Sequence, residues 1–214
     1  MEEKKGIIFD LDGTLWDSSE EVVIAWNRVL ERHPELHRRI TAEDMQGYMG
    51  KSMDDIMLLM LPDQPLEVRK KILTELCEEE DRYLLEHGAK LYPGLWQVLT
   101  ELKKDYHLYI VSNCQDGYVQ CFLKVNRFEQ LFDDIEMWGR TFLEKGDNIS
   151  LIVKRNHLTK AVYVGDTLGD YNATKKAGLP FIHASYGFGK VPEPDAVLTE
   201  FAELPKVVSK FFCD

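Results

Sequence analysis

The chain has 214 residues and a formal net charge of −11, with 44% hydrophobic and 29% charged residues. This composition is typical of a globular protein, and the negative charge argues against nucleic acid or an anionic membrane as a partner. The four cysteines form no C-x-x-C pair, no signal peptide is recognisable, and no apolar stretch is long enough to span a bilayer, so we expect a cytoplasmic protein.

The first predicted element is a short buried strand that ends in two acidic residues. Asp10 and Asp12 follow the apolar run 7–9, and Gly13 ends the strand. Side chains alternate along an extended chain, so the two carboxylates should point the same way. Paired acids beside a buried strand are costly unless they bind a metal or take part in chemistry. In an open α/β sheet, this edge is also where ligands bind.

Residues 16–88 carry helical patterns and almost no strand signal. Ser18–Glu21 fits a capping box, and Thr41–Asp44 and Ser52–Asp55 mark two further helix starts. A fourth helix is predicted over 66–87, where Gly88 would end it. We interpret the acidic residues 78–81 of this helix as a solvated face.

The pattern becomes α/β from residue 92 onward. Strands that alternate with helices of ordinary length predict a mostly parallel sheet with helices on both faces, which is a Rossmann-like fold. Strands are predicted over 107–111, 134–137, 161–164, 180–183 and 195–198, and helices over 95–102, 115–125, 148–156, 169–177 and 204–212.

The domain organisation follows from this order of elements. We expect an α/β core made of residues 1–15 and 89–214, with an all-helical cap domain over 16–88 inserted after the first strand. The two junctions, near 15–18 and 88–93, should lie close together if the helical domain is a lid over the core.

Polar residues end three of the predicted strands at one edge of the sheet. Asp10 and Asp12 end the first strand, residues 112–113 end the second, and Asp166 ends another, with Lys145 between the last two along the chain. Cleavage of a phosphate ester needs an attacking group, charge neutralisation and a proton donor for the leaving oxygen. The chain offers each of these at the sheet edge.

The motif Asp10-x-Asp12-Gly13-Thr14 resembles the first motif of the haloacid dehalogenase-like superfamily, which consists mostly of phosphatases. Residues 165–170 resemble its fourth motif. The resemblance implies that Asp10 is a nucleophile that forms an aspartyl-phosphate. It implies that Asp12 is first a general acid for the leaving alcohol and then a general base for water.

The same resemblance implies a magnesium site. The family pattern places Mg²⁺ on the Asp10 carboxylate, the Asp12 backbone carbonyl and Asp166, with Asp170 coordinating or orienting a metal-bound water. Ser112 would donate to the phosphoryl oxygens, and Asn113 beside it would help to place the phosphate and leaving group. Lys145 would be the phosphate-binding cation, although the proline that often follows this lysine is missing; the alternatives are Arg140, Lys154 and Lys160.

Residues of the helical segment are expected to select the substrate. The turn 47–52 resembles the loop that reaches into the site in phosphoglycolate phosphatase-like members, so Gly50 and Lys51 are candidate specificity residues. Lys51 either meets an anionic substrate or is solvated. Trp16 either gates the entrance or packs at the hinge.

The residues therefore predict a Mg²⁺-dependent phosphatase that acts on a small phosphorylated metabolite, as a monomer or homodimer. A sugar-phosphate mutase of the same superfamily shares the acidic pair and is the nearest alternative. A phospho-acceptor module is a further alternative, but such modules lack a helical insertion after the first strand. A catalytically inactive binding protein on the same fold is the last.

Overall fold

The computed structural model describes residues 3–212. In chain order, the elements are β1 (Lys5–Phe9), β2 (Trp16–Asp17), α1 (Ser19–Leu30), α2 (Ala42–Tyr48), α3 (Met53–Met60), α4 (Leu66–His87), β3 (Lys90–Leu91), α5 (Leu95–Leu102), β4 (His107–Ser112), α6 (Tyr118–Asn126), β5 (Asp134–Met137), α7 (Trp138–Thr141), α8 (Lys145–Arg155), β6 (Lys160–Gly165), α9 (Leu168–Lys176), β7 (Phe181–Ala184), β8 (Ala196–Leu198) and α10 (Leu204–Phe212).

The central sheet has six strands in the order β5-β4-β1-β6-β7-β8, and each neighbouring pair is parallel. In the register of the sheet, Phe9 of β1 lies opposite Ile110 of β4 and Val164 of β6. The carboxyl ends of these strands therefore meet at one edge, with Asp10 in the middle. The predicted α/β fold class is confirmed.

Both faces of the sheet are covered, because side chains of alternating residues pack on opposite helical layers. Ile8 and Tyr163 pack against Ile149 and Ile152 of α8 on one face. On the other face, apolar residues of β1 and β4 pack against those of α5, α6 and α10. The sheet edge that carries Asp10 is thus formed by strands that are buried on both faces.

The chain leaves the central sheet after β1 and returns to it after α4, and the two crossing segments lie side by side. Trp16 of β2 pairs with Leu91 of β3, and Asp17 pairs with Lys90, in a two-stranded antiparallel ribbon. Helices α1 to α4 lie between these two strands. The division of the chain into a core and a cap domain over 16–88 remains a prediction.

Most predicted elements are present, and the differences have local causes. Helix α6 begins at Tyr118 instead of residue 115, since Gly117 has φ of 106° at its N-cap. The ribbon of β2 and β3 was not predicted, because strands of two residues carry too little pattern.

The capping box expected at Ser18–Glu21 is absent, because the Ser18 side chain makes no cap hydrogen bond. The helix start predicted at Thr41 is confirmed, and the structure adds a capping box there, with Asp44 as the partner of Thr41. Ser18 directs its hydroxyl elsewhere, to the carboxylate of Asp12.

Candidate active site

The carboxyl end of β1 places Asp10 in a buried cluster of charged side chains. Lys145, in the first turn of α8, donates to Asp10 Oδ1 at 2.7 Å and to Asp170 Oδ1 at 2.5 Å. Asp166 follows β6, and one oxygen each of Asp10, Asp166 and Asp170 lie within 4.8 Å of one another. All four side chains are buried, so the Lys145 ammonium group pairs with Asp10 and Asp170 away from water, with Asp166 close by.

Burial and mutual repulsion raise the pKa of two carboxyl groups in this cluster. Loss of water raises the pKa of Asp10 to about 7, with Asp170 acting in the same direction and Lys145 opposing both. Burial also raises the pKa of Asp166 to about 8, and the charges of Asp170 and Asp10 add to the effect. A bound cation would reverse these shifts, because a nearby positive charge favours ionised carboxylates.

The surroundings of Asp166 fit a divalent metal ion. Its Oδ2 accepts from the backbone N–H of Phe188 at 2.7 Å, whereas Oδ1 is buried and has no hydrogen-bond partner within residues 3–212. Gly13, with φ of 81°, leaves the room that this carboxylate needs, since a Cβ there would lie 2.3 Å from Asp166 Oδ2. Carboxylate oxygens are the ligands that Mg²⁺ prefers, so the donor set matches that ion.

Asp12 has a different environment from Asp10. Its Oδ1 accepts hydrogen bonds from Trp16 Nε1 at 2.9 Å, Ser18 Oγ at 2.8 Å and Tyr118 Oη at 2.7 Å. Burial raises the pKa of Asp12, and the hydrogen bonds from Tyr118, Ser18 and Trp16 lower it. These bonds fix the orientation of the carboxyl group beside the cavity.

Two of these Asp12 partners were not identified from the sequence. Tyr118 lies 106 residues from Asp12 and Ser18 only six, and no local pattern relates either one to the acid. Trp16 was considered as a gate, but its side chain is fully buried and packs edge-on against Tyr118 and Phe122. The gate interpretation is therefore wrong, and packing at the hinge is the interpretation that fits.

Ser112, the last residue of β4, and Asn113 after it lie on the opposite side of Asp10 from Asp166. Ser112 is buried, and its Oγ accepts from the backbone N–H of Cys114 at 3.4 Å. The Asn113 side chain donates from Nδ2 to the backbone carbonyl of Gly50 at 2.9 Å. Asn113 therefore joins the core to the turn 47–52 of the helical segment.

Lys145 is the candidate cation that lies at Asp10, and the alternatives lie elsewhere. Arg140 pairs with Asp116 at 3.3 Å, Lys154 is exposed on α8, and Lys160 pairs with Glu3 at 2.7 Å. The sequence placed the start of this helix near residue 148, whereas α8 begins at Lys145 itself. The extra turn carries the lysine to the sheet edge.

Two cavities meet at the turn 47–52. The inner cavity has a volume of about 60 Å³ and lies between the sheet edge and helices α1 to α4. The outer cavity, of about 750 Å³, is an open groove between the turn and the region around α8 and α9. Gly50 and Lys51 line both cavities, and Lys51 is exposed at the rim. Asp10, Asp12, Ser112, Asn113 and Lys145 all line the inner cavity.

The expected solvated face at residues 78–81 of α4 is wrong for two of its members: Glu78 is exposed, whereas Glu79 and Glu80 are buried. Glu79 is buried and pairs with Arg82. Glu80 is buried at 4% exposure and lines the inner cavity. The sequence does contain a signal that Glu80 is buried. Glu80 lies four residues after Leu76 and four before Leu84, and these apolar residues mark the buried stripe of α4.

Comparisons with known proteins identify the family. The family model described as haloacid dehalogenase-like hydrolase matches residues 7–184. That match spans most of the chain, which therefore belongs to the haloacid dehalogenase-like hydrolases.

Individual proteins resemble the chain over nearly its whole length. A phosphoglycolate phosphatase from Aquifex aeolicus is 29% identical, over 94% of this chain and 95% of its own. A phosphoglycolate phosphatase from Aliivibrio fischeri is 28% identical, over 98% of both chains. A solved haloacid dehalogenase-like hydrolase from Bacteroides fragilis has a TM-score of 0.83 and 23% identity, over 94% of this chain and 100% of that chain.

These comparisons confirm the predicted family and show that the protein is a hydrolase. The names of the relatives agree with the predicted class of enzyme, a phosphoric monoester hydrolase. Within residues 3–212, no helix combines the length and the apolar character needed to cross a membrane.

Proposed function

We propose that the protein is a Mg²⁺-dependent phosphatase that hydrolyses a small phosphorylated metabolite of the cytoplasm through an aspartyl-phosphate on Asp10. The observation that carries this proposal is the buried cluster in which Lys145 contacts both Asp10 and Asp170, with the unpartnered Oδ1 of Asp166 nearby. The curated relatives named phosphoglycolate phosphatase support a phosphatase of that kind.

In the first step, a carboxylate oxygen of Asp10 attacks phosphorus, and the bond between phosphorus and the ester oxygen breaks. Asp12 gives its proton to that oxygen, so a neutral alcohol leaves. In the second step, Asp12 takes a proton from water while the water oxygen attacks phosphorus. The bond between phosphorus and Asp10 then breaks, and inorganic phosphate leaves.

The other site residues have electrostatic tasks. Lys145 would compensate charge on the phosphoryl oxygens and hold Asp10 in place, while Ser112 would donate to one of those oxygens. Asp10, Asp166 and the backbone carbonyl of Asp12 would hold Mg²⁺, with Asp170 close by. The ion would supply positive charge at the transferring phosphoryl group.

Replacing the proposed nucleophile tests this function. Asp10→Asn should lower Mg²⁺-dependent hydrolysis of p-nitrophenyl phosphate by at least about three orders of magnitude, because the amide cannot attack phosphorus. The control is Asp105→Asn, an exposed residue after α5, which should retain full activity. Circular dichroism checks that both variants are folded.

Substantial residual activity in Asp10→Asn, or hydrolysis that is unaffected by removal of Mg²⁺ with EDTA, would contradict the proposal. Release of phosphate, measured against formation of an isomeric sugar phosphate, separates a phosphatase from a mutase.

A further inference from the structure

The segment that follows β7 packs against the two loops that carry the proposed metal ligands. This segment, residues 185–190, is called the β7 loop below, and β7 itself pairs with β6, the strand that ends before Asp166. The β7 loop contacts Asp166 on one side and residues 13–14, after β1, on the other. None of its side chains takes part in the proposed reaction, so these contacts need another explanation.

The β7 loop holds one oxygen of Asp166 and leaves the other free. The backbone N–H of Phe188 donates to Asp166 Oδ2 at 2.7 Å, and Asp166 is fully buried. In β7, the Nε2 atom of His183 lies 3.2 Å from the backbone carbonyl oxygen of Asp166. The side chain and the backbone of Asp166 are thus both held, while Oδ1 has no hydrogen-bond partner within the described residues. A buried carboxylate oxygen in that state is costly, and a bound cation would satisfy it.

Two glycine residues allow the β7 loop to come this close. A Cβ on Gly187 would lie 2.4 Å from Asp166 Cβ and 2.4 Å from the backbone carbonyl oxygen of Gly13. A Cβ on Gly189 would lie 2.6 Å from the backbone carbonyl oxygen of Asp166. Any larger residue would therefore push the β7 loop away from the loops that carry the ligands, because the contacts are already close-packed.

Tyr186 joins the β7 loop to the loop after β1. Its Oη donates to the backbone carbonyl oxygen of Thr14 at 2.9 Å. Thr14 lies two residues after Asp12, whose own backbone carbonyl is a proposed ligand of Mg²⁺. The Tyr186 ring also packs on Tyr92, with ring centroids 4.6 Å apart. The β7 loop therefore connects both sides of the proposed ion site, the β1 side through Tyr186 and the β6 side through its contacts with Asp166.

We infer that the β7 loop sets the affinity of the site for Mg²⁺, with Tyr186 as a positioning residue and with the Phe188 N–H as the group that leaves Asp166 Oδ1 free for the ion. This inference rests on the proposed function, since it concerns the ion that the reaction would use. Loss of a group that holds a metal ligand commonly costs about 10–100-fold in metal affinity or activity. Because Tyr186 would not touch the phosphoryl group, its effect should lie in metal binding.

Removal of one hydroxyl group tests the inference. In Tyr186→Phe, the dissociation constant of Mg²⁺ alone, measured by isothermal titration calorimetry, should rise by about tenfold. The Mg²⁺ concentration that gives half-maximal hydrolysis of p-nitrophenyl phosphate should rise by the same factor, while kcat at saturating Mg²⁺ stays within about twofold of the wild-type value. Tyr92→Phe is the matched control, because it removes a hydroxyl from the ring that packs on Tyr186 and leaves the contact with Thr14 in place. It should keep the wild-type dissociation constant.

A second variant displaces the β7 loop directly. In Gly187→Ala, the added methyl group would move the loop away from Asp166 and Gly13, so the dissociation constant of Mg²⁺ should rise at least as much as in Tyr186→Phe. Circular dichroism in EDTA checks that each variant is folded, since a protein that is about 90% folded changes the apparent dissociation constant by only about a tenth. A wild-type dissociation constant in either variant, or an equal rise in Tyr92→Phe, would overturn the inference.

Failure of the proposed function gives a different result. If the wild-type protein binds Mg²⁺ but hydrolyses neither p-nitrophenyl phosphate nor a panel of phosphorylated metabolites, the phosphatase assignment is wrong. In that case, the dissociation constants of the variants still decide the inference, because calorimetric binding does not require turnover. If the wild-type protein binds no Mg²⁺, the inference is overturned whatever the protein hydrolyses.

Discussion

The two sides of the inner cavity are built in opposite ways. The sheet side presents Asp10 and Lys145 in a buried ion pair at 2.7 Å, and each of these side chains comes from the end or the start of a regular element. The helical side presents an apolar wall with Glu80 in it. Under the proposed function, the sheet side would carry the reaction itself, whereas the helical side would contact the alcohol that is released. Variants on the two sides should accordingly have different kinetic effects.

The largest effect should come from the sheet side. Lys145→Met leaves the carboxyl groups of Asp10 and Asp170 without their ammonium partner, and it removes the cation proposed to face the phosphoryl group. We expect kcat/KM to fall by about 10²–10³-fold for every substrate, including p-nitrophenyl phosphate. Steady-state kinetics of Lys154→Met, an exposed position on the same helix, provide the control. A loss confined to one substrate would remove the distinction between the two sides.

An effect of intermediate size should come from Glu80 on the helical side, in the pH dependence of the free energy of unfolding. The pKa of Glu80 lies at about 8 in the folded protein, above its ordinary value of 4.5, so the folded state keeps a proton that the unfolded chain releases. The stabilisation from that proton is present below the ordinary pKa and is lost as pH rises toward 8. The free energy of unfolding should therefore fall across this range, by at most about 1.4 kcal/mol per pH unit.

The measurement is urea unfolding at several pH values with saturating Mg²⁺. Glu80→Gln should show a flatter dependence than the wild type, because glutamine does not titrate. Asp12 and Asp81, whose pKa values are also raised, are present in both proteins, so the difference isolates Glu80. Glu78→Gln should keep the wild-type slope. Parallel curves for wild type and Glu80→Gln would show that Glu80 is ionised throughout.

The smallest effect should come from the rim between the two cavities. Lys51 is exposed, and a flexible charge in water contributes little to binding. Lys51→Ala should change the relative kcat/KM values of phosphorylated metabolites by severalfold while p-nitrophenyl phosphate is hydrolysed at nearly the wild-type rate. Lys190→Ala, which alters another lysine of the outer cavity, is the comparison. If kcat/KM fell equally for all substrates, Lys51 would take part in the reaction itself and would not select the substrate.

The sheet side could be predicted from sequence to a large extent. Apolar runs such as 107–111 mark buried strands, and the topology of a parallel sheet brings their carboxyl ends together. Asp10, Ser112 and Asp166 could therefore be placed at one edge before any distance was known. The position of Lys145 depended on where α8 begins, which local propensity determines poorly.

The helical side could be predicted only in outline. The starts of α2 and α3 followed from capping residues, but the inward position of Glu80 contradicts the usual rule that clustered acids face water. Contacts distant in sequence, such as Tyr118 with Asp12 and Asn113 with Gly50, have no local signal at all. Such contacts depend on how the helices pack on the sheet, which a single sequence does not specify.

The ribbon of β2 and β3 has a mechanical consequence. Trp16, which pairs with Leu91 there, also donates to Asp12, and Ser18 does the same one residue beyond the ribbon. A rotation of helices α1 to α4 about this ribbon would displace Trp16 and Ser18, the two side chains that orient the Asp12 carboxyl group. Opening the cavity to solvent and displacing Asp12, the proposed proton donor, would then be a single movement.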